Sequence, residues 1–206
     1  MPNNIKEIIK KVKESAKEKF DASVEVHINL NLPKKDMKVR FSTTLPEGTG
    51  RERKVAVLST KSIACADVQL TEEDIEKIKK GNLVPGKDFD VLVSEPSFMT
   101  KVAKVAAILG PAGLMPNPKS GTVTNDVKST VQKFKLGQVE IRTEASAPII
   151  HITIGKASWE EEKLCNNLGH LLTALRSNRP VGTKSDWIKS IYVTSSMGKS
   201  FALDLK

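Results

Sequence analysis

The sequence predicts a split α+β sandwich, an antiparallel sheet with two helices, interrupted by a smaller α/β domain with a largely parallel sheet. Apolar and polar residues alternate along segments at both ends of the chain, as in strands with one buried face. In the middle, continuous apolar runs alternate with helical segments, which is typical of a parallel sheet covered on both faces. The 206 residues can bury either one large core or two modest ones, because domains usually run to ~100–150 residues, so the change of pattern has to decide. We therefore expect one domain from residues 1–51 plus 149–206 and another from residues 52–148.

The chain opens with a segment that predicts a short amphipathic helix with a solvated outer face. Its apolar residues recur at helical spacing: Ile5, Ile8, Ile9, Val12 and Ala16. Two alternating runs, residues 22–30 and 37–45, follow and predict strands bounded by proline and glycine. Their closeness in sequence predicts that these two strands pair as neighbours.

The middle segment has a different pattern. Residues 55–58 form a continuous apolar run, as expected for a strand buried on both faces. Thr71 is placed to cap a helix over residues 71–80, where acidic residues fill the first turn and Gly81 ends it. The remaining predicted elements are a strand at 89–93, a helix from about 94 to 109, a loop at 110–121, a helix at 125–134 and a strand at 139–142.

Beyond Pro148 the alternating pattern returns. Residues 149–154 and 188–195 predict two strands with a helix between them. The helix is expected to begin at a capping box formed by Ser158 and Glu161. Its buried stripe consists of Leu164, Leu168, Leu171, Leu172 and Leu175.

The net charge favours a polyanionic partner, with nucleic acid as the leading candidate. The chain carries +9 at pH 7, and each Lys or Arg that meets a phosphate releases a condensed counterion. A generically basic soluble protein would show the same total, so the distribution has to decide. Residues 52–148 contain 14 Lys+Arg and 12 Asp+Glu, or +2, which leaves +7 for the outer segments. The polyanion is therefore expected at the split domain.

Other classes of function find little support. The first 19 residues lack the apolar stretch of a signal peptide, and no segment approaches the ~18 apolar residues of a membrane span. Cys65 and Cys165 have neither disulfide nor zinc spacing, so a reducing cytoplasm fits best and no metal or cofactor is expected. The histidines, His27, His151 and His170, lack a partner at catalytic spacing and are interpreted as structural, although the first two could face each other across a sheet.

The Pro- and Gly-rich loop at residues 110–121 has a superficial likeness to a phosphate cradle, with Lys119 close to two glycines. A P-loop requires a glycine four residues before Gly-Lys-Ser/Thr, directly after a strand. This loop follows a predicted helix, and Pro116 and Pro118 remove two amide donors. A rigid surface loop is the better interpretation.

A polar cluster lies where the last predicted strand ends in the basic domain: Thr194, Ser195, Ser196, Met197, Gly198 and Lys199. Hydroxyls and backbone amides suit ribose 2′-OH and phosphate oxygens, and a glycine lets a backbone come close. The methionine can pack on a base or sugar. By spacing alone, a plain polar turn accounts for these residues equally well.

Five segments resemble one known family, in the same order along the chain. The most specific, Ile108-Leu-Gly-Pro-Ala-Gly-Leu-Met-Pro-Asn-Pro-Lys-Ser-Gly-Thr-Val, is similar to the signature of the L-one family, the large-subunit ribosomal stalk proteins. The others are Phe20-Asp-Ala-Ser-Val-Glu-Val, Leu45-Pro-Glu-Gly-Thr-Gly, Ile154-Gly-Lys-Ala-Ser-Trp and Tyr192-Val-Thr-Ser-Ser-Met-Gly. The resemblance, to the bacterial type, covers nearly the whole chain. It implies an RNA-binding split domain and a reduced, inserted Rossmann-like domain.

The resemblance also implies a function. It indicates a structural protein, not an enzyme, that binds the stalk junction of large-subunit rRNA and forms a mobile stalk near the tRNA exit site. It implies help in the release of deacylated tRNA and, in bacteria, repression of the protein's own mRNA. A cytoplasmic, ribosome-associated protein is expected, monomeric off the ribosome and without a membrane partner.

Carried over by motif, the family's RNA contacts fall on Lys19, Phe20, Glu25, Arg40, Lys156, Ser158, Thr194, Ser195, Ser196, Met197 and Gly198. Phe20 is expected to support the core in part. Glu25 is useful only as an acceptor for a 2′-OH or a base amine, because a carboxylate repels phosphate. Gly113, Met115 and Lys119 form a secondary set in the loop.

The chain departs from the family pattern in several places. Ser196 stands where threonine is usual, and Ala112 stands where arginine is usual, which weakens any contact of the loop with nucleic acid. The N-terminus is shorter, and between Leu58 and Val68 roughly a helix is missing, so the inserted sheet is expected to lack a covering helix on one side. A nucleotide-binding enzyme is the rival hypothesis, but no strand-to-helix turn carries the glycine fingerprint.

Overall fold

The computed structural model describes residues 4–33, 37–51, 53–60, 63, 65–79, 81–144, 146–184 and 186–204, and for Lys119 it describes the backbone alone. The chain forms two compact units. The split unit comprises Met1–Arg51 and Val139–Lys206, and the middle unit comprises Glu52–Gln138. No helix in the described ranges has the length and apolar character needed to cross a bilayer.

The secondary structure follows the predicted order of elements. The helices are α1 (Asn4–Ser15), α2 (Glu72–Lys79), α3 (Met99–Val102), α4 (Ala106–Leu109), α5 (Val127–Lys135) and α6 (Glu161–Ser177). The strands are β1 (Ser23–Leu30), β2 (Arg40–Thr44), β3 (Val55–Leu58), β4 (Val68–Leu70), β5 (Val91–Ser94), β6 (Gln138–Arg142), β7 (Ile149–Lys156), β8 (Ile188–Ser195) and β9 (Ser200–Leu203). The helix predicted to run to residue 109 is a succession of short α and 3₁₀ pieces from Pro96 onward. The short strands β4 and β9 were not predicted.

A four-stranded antiparallel sheet forms the centre of the split unit, in the order β7-β1-β8-β9. β1 is central, with Val26 opposite Ile152 on one side and Val193 on the other. The predicted pairing of the first two strands is wrong, because β2 pairs with β6 instead. Alternation shows that a segment is a strand with one buried face, but it does not choose the partner. Both neighbours of β1 come from the far end of the chain.

Helices α1 and α6 pack on one face of this sheet. Buried and half-exposed residues alternate along the whole of β1, and the buried ones share a core with the helices. The stripe of α6 is confirmed, with Leu164, Leu168, Leu171, Leu172 and Leu175 buried. The stripe of α1 is confirmed at Ile5, Ile8, Ile9 and Val12, whereas Ala16 follows the end of the helix and is only partly buried. Because burying one large aliphatic side chain contributes roughly 1.5–3 kcal/mol, this shared face is the main stabiliser of the split unit.

The predicted capping box of α6 is wrong. Glu160 occupies the N-cap position, and its side chain makes no capping hydrogen bond. The Ser158 hydroxyl donates instead to the Asp21 carboxylate, at 3.0 Å. An ionised acceptor makes a stronger hydrogen bond than a neutral one, which explains why this tertiary contact replaces the local motif.

A three-stranded parallel sheet in the order β4-β3-β5 forms the middle unit, as predicted for an α/β domain. One apolar cluster combines this sheet with α2 and the 96–109 helical stretch. A second cluster combines it with Val127, Val131 and Phe134 of α5. Ile63 and Cys65, from the short β3–β4 connection, pack against that second cluster. A helix therefore belongs to both apolar clusters, and the expectation that one side of the sheet lacks a covering helix is wrong.

The position of β6 moves the boundary between the two units. The sequence assigned residues 139–148 to the middle domain, whereas Val139 and Ile141 belong to the core of the split unit. A short apolar strand gives no local sign of which sheet it joins. With the boundary after Gln138, the split unit has 20 Lys+Arg and 14 Asp+Glu, net +6, against 13 and 10, net +3, in the middle unit. The larger basic excess remains in the split unit.

Candidate nucleic-acid interface

The four-stranded sheet has an open face on the side away from α1 and α6. Successive residues of a strand point to opposite faces, and the residues that alternate with the buried ones are mostly polar. On the three longest strands the open face includes Ser23, Glu25, His27, Asn29, His151, Thr153, Ser190, Tyr192 and Thr194. Such a face is available to a polar partner.

Most of the predicted contact residues converge at one edge of this face. β1 begins where β7 and β8 end, with Ser23 opposite Lys156 and Val24 opposite Ser195. The antiparallel pairing thereby brings together three segments that lie far apart in sequence. We call the group formed by Phe20, Lys156, Ser158 and residues 194–198 the strand-end cluster.

A network around Asp21 fixes the start of β1 to the end of β7. Lys156 Nζ donates to the Asp21 carbonyl oxygen at 3.3 Å and to Ser23 Oγ at 3.1 Å. The Ser158 amide donates to the Asp21 carboxylate at 3.1 Å, beside its hydroxyl bond. Phe20, next in the chain, is 55% exposed and does not belong to the core cluster. The partial core role expected for Phe20 is therefore wrong, and the ring lies at the surface beside exposed Lys19.

The turn between β8 and β9 presents Met197 to solvent. Its side chain is 88% exposed, and its backbone has a φ of +61°, the left-handed region. A non-glycine residue adopts this region at a cost of roughly 1–2 kcal/mol. The turn is closed by the Gly198 amide, which donates to the Ser195 carbonyl oxygen at 2.9 Å. The fold thus fixes a backbone that presents the Met197 side chain to solvent.

The hydroxyls of Thr194 and Ser196 have different partners. Thr194 Oγ1 lies 3.3 Å from the carbonyl oxygen of Gly198 and 3.2 Å from that of Lys199, so it braces the turn. Ser196 bonds across to β1: its amide donates to the Ser23 carbonyl oxygen at 2.9 Å, and its hydroxyl lies 3.3 Å from a Glu25 carboxylate oxygen. The hydroxyl predicted to meet RNA at Ser196 is thus oriented by Glu25.

Ser195 differs from the other predicted contact residues. Its side chain is 1% exposed and lies on the helix-covered side of the sheet, and its Oγ has no hydrogen-bond partner among the described residues. A Cβ atom at Gly198 would lie 2.0 Å from that Oγ and 3.2 Å from Ser15 Oγ. The glycine therefore leaves room for the Ser195 hydroxyl, and only the backbone of Ser195 is placed to reach a partner.

Four predicted residues do not belong to the strand-end cluster. Arg40, on β2, forms an ion pair with Glu140 on β6. Gly113, Met115 and Lys119 belong to the middle unit. Gly113 adopts a φ of +71°, and Met115 packs in part against that unit's core. The side chain of Lys119 is outside the described part of the chain.

Three open-face residues were missed as candidates. His27 and His151 are opposite each other on β1 and β7, with their Nδ1 atoms 2.6 Å apart. Partial burial, and then the neighbouring His151, lower the pKa of His27. Tyr192 of β8 lies opposite His27 on the other side and is 37% exposed. The alternation of side chains along a strand could have identified these residues, because His27 shares a face with Glu25 and Tyr192 shares a face with Thr194. His151 lies opposite His27 on the neighbouring strand.

The chemistry of this surface suits recognition better than reaction. No group of three or more His, Cys, Asp or Glu side chains that could hold a metal occurs among the described residues. The surface offers oriented hydroxyls, backbone amides, exposed apolar side chains and lysines. A four-stranded sheet with one helix-covered face and one open polar face, in a basic unit, defines the class of sheet-based RNA-binding proteins.

The comparison with known proteins specifies the family. Residues 12–199 match the model of the Ribosomal protein L1p/L10e family. The chain is 44% identical over 202 residues to the large ribosomal subunit protein uL1 of Prochlorococcus marinus strain MIT 9312, covering 94% of this chain and 84% of that protein. It is 43% identical over 202 residues to the protein of the same name from strain AS9601, with the same coverage of 94% and 84%. The chain belongs to the Ribosomal protein L1p/L10e family and is a structural, RNA-binding ribosomal protein and not an enzyme.

Proposed function

We propose that this protein binds large-subunit rRNA at the stalk junction through the strand-end cluster and the adjoining open face. The observation that carries the proposal is the meeting of three strand ends around two exposed apolar side chains, Phe20 and Met197. Large apolar groups held outward at a polar edge are typical of a surface that a partner completes. The relatives named above are large-subunit proteins, which agrees with this partner.

Each part of the cluster has a distinct physical role in the proposed complex. Phe20 and Met197 pack on bases or sugars, and Lys19 and Lys156 meet phosphate oxygens. Glu25, as an acceptor, receives a hydrogen bond from a 2′-OH or a base amine. The hydrogen bonds of Thr194 and Ser196 already order the backbone of the turn and the Glu25 carboxylate, which lowers the entropy lost on binding.

The finer roles rest on the motif resemblance. We propose that the protein forms the mobile stalk of cytoplasmic ribosomes, assists the release of deacylated tRNA and represses its own mRNA. One surface serves both RNAs in this account, so an mRNA segment that imitates the stalk junction competes with rRNA. The loop with Gly113, Met115 and Lys119 is a secondary contact.

A pair of matched substitutions tests the proposed surface. Met197→Glu places a negative charge at the most exposed point of the strand-end cluster. Val181→Glu is the control, because Val181 is 96% exposed in the segment that precedes the opposite end of β8. Affinity for a stalk-junction rRNA fragment is measured for both, with an unrelated hairpin as reference RNA.

We expect Met197→Glu to weaken binding to the stalk fragment by at least a hundredfold, since it removes an apolar contact and adds repulsion. Val181→Glu should change affinity less than threefold. Equal affinities for the two variants would disprove the placement of the RNA on the strand-end cluster. Circular dichroism and thermal unfolding of both variants separate binding from folding.

A further inference from the structure

A basic cleft lies in the split unit beside β7, apart from the strand-end cluster. Its volume is about 660 Å³, and its polar lining consists mainly of Lys38, Arg40, Arg142, Glu144, Ser146 and His151. β6 is joined to β7 here, because Thr143 bridges to Ile150 and the Glu144 amide donates to the Ile149 carbonyl oxygen at 2.9 Å. The cleft therefore opens at the start of β7, whereas Lys156 lies at its end.

The charges of the cleft favour an anion. Arg40 is paired with Glu140, and His151 Nε2 lies 3.3 Å from a Glu144 carboxylate oxygen. Lys38 and Arg142 are exposed and form no ion pair within the described ranges. The planar guanidinium fork of arginine matches the oxygens of a phosphate, and a lysine adds a mobile positive charge.

His151 connects the cleft to the open face. It lines the cleft, and it also meets His27 in the middle of the face, at 2.6 Å between the Nδ1 atoms. His27 Nε2 in turn lies 3.9 Å from a Glu25 carboxylate oxygen, and Glu25 contacts Ser196 of the strand-end cluster. A continuous polar path thus runs from the cluster to the cleft. From Lys156 to His151 it covers roughly 17 Å along β7, at ~3.3 Å per residue.

We propose that this cleft binds a backbone phosphate of the same RNA whose other part occupies the strand-end cluster. The inference rests on the proposed function. A phosphate is favoured over a base because the lining has two cations without carboxylate partners and no aromatic side chain besides His151 among the described residues. The protein would then hold its RNA at two separated points, one that packs apolar groups and one that neutralises charge.

Charge-removing substitutions with matched controls test the cleft. Arg142→Gln and Lys38→Gln each remove one cation from it. Arg176→Gln and Lys163→Gln remove the same charges from exposed positions of α6, the helix that covers the opposite face. Affinity of the full chain for the stalk-junction fragment is measured across a salt series, since a phosphate contact appears in the slope of log K against log salt.

Each cleft variant should weaken binding several-fold to about tenfold and lower the magnitude of the salt slope by about 1 relative to its control. The opposite outcome is that the cleft variants match their α6 controls in affinity and in salt slope while Met197→Glu still abolishes binding. That result would overturn phosphate binding in the cleft and leave the proposed function unaffected. If the cleft binds an acidic protein segment and not RNA, the cleft variants will likewise match their controls in RNA affinity, and the proposal of a phosphate site is overturned. Failure of the wild-type chain to bind the fragment would overturn both. Arg142→Glu, folded by circular dichroism, repeats the test with a larger charge change.

Discussion

The imidazole rings of His27 and His151 meet edge to face on adjacent strands, with Nδ1 atoms 2.6 Å apart. One N–H must lie between these two nitrogens, so one ring donates and the other accepts. The outer nitrogens face carboxylates, Glu25 beside His27 and Glu144 beside His151. Beyond the effect of burial, a positive charge on His151 therefore lowers the pKa of His27.

This pair predicts a pH-dependent stability. Burial and the His151 charge lower the pKa of His27 below its usual 6.5, so the unfolded chain binds its proton more readily than the folded one. The contribution of neutral His27 to the free energy of unfolding is then complete above about pH 6.5, the pKa in the unfolded chain. It is lost as the pH falls through the lower pKa of His27 in the folded chain. The groups facing the pair are Glu25, Glu144 and, on β8, Tyr192.

Urea unfolding at pH 7.5, 6.5 and 5.5 checks this dependence. The free energy of unfolding should decrease toward pH 5.5 in the wild-type chain, and the decrease should be smaller in His27→Gln. His170→Gln, on the exposed side of α6, is the control and should follow the wild type. Parallel curves for wild type and His27→Gln would refute the role of His27.

The close approach of Gly198 to Ser195 predicts a strong coupling between these two positions. Gly198→Ala should cost about 1–3 kcal/mol, because its Cβ would lie 2.0 Å from Ser195 Oγ and either that buried side chain or the turn must shift. Ser195→Ala removes a buried hydroxyl without a described partner, so it should be neutral or stabilising. The double variant should recover much of the loss, since the alanine leaves only contacts of 3.2 Å and longer.

A double-mutant cycle by thermal or urea unfolding measures this coupling. RNA affinity should follow the same order, with Gly198→Ala the weakest, because the turn that holds Met197 is displaced. Additive effects of the two substitutions would show that the clash with Ser195 is not what requires the glycine.

Asn167 is a fully buried polar residue in the leucine stripe of α6 and predicts another large effect. Its amide nitrogen donates to the carbonyl oxygens of Gly48 at 2.9 Å and Ile154 at 2.7 Å, and its side-chain oxygen accepts from the Glu47 amide at 3.0 Å. Asn167→Ala leaves three backbone groups without this partner, at a cost of about 2–4 kcal/mol. Exposed Asn166→Ala on the same helix should change the free energy of unfolding by less than about 0.5 kcal/mol, the usual surface effect. Similar losses for both would contradict the structural role.

The local sequence pattern predicted the helices and strands well, because apolar residues recur at the spacing of the face that each element buries. The stripe from Leu164 to Leu175 and the alternation of β1 are examples. Partner choice is not local, which is why the pairing of β2 with β6 was missed. The same reason explains the preference of Ser158 for Asp21, a residue 137 positions away.

The candidate site was predicted unevenly. Motif resemblance named Phe20, Lys156 and Met197, which the structure brings to one edge. The alternation of side chains along β8 would have placed Thr194 on the open face and Ser195 on the buried side. It would also have added Tyr192 to the predicted contact residues. The basic cleft could not be predicted, because it depends on where β6 lies relative to β7.

In the proposed complex, RNA binds across the strand-end cluster and the open face. The most direct test is the map of backbone amide chemical shifts in the full chain upon addition of the stalk-junction fragment. We predict the largest changes at residues 20–25, 156–158 and 194–198, with little change on the outer side of α6 at Lys163 and Arg176. Large changes on α6 or in the middle unit, with residues 194–198 unaffected, would contradict the account.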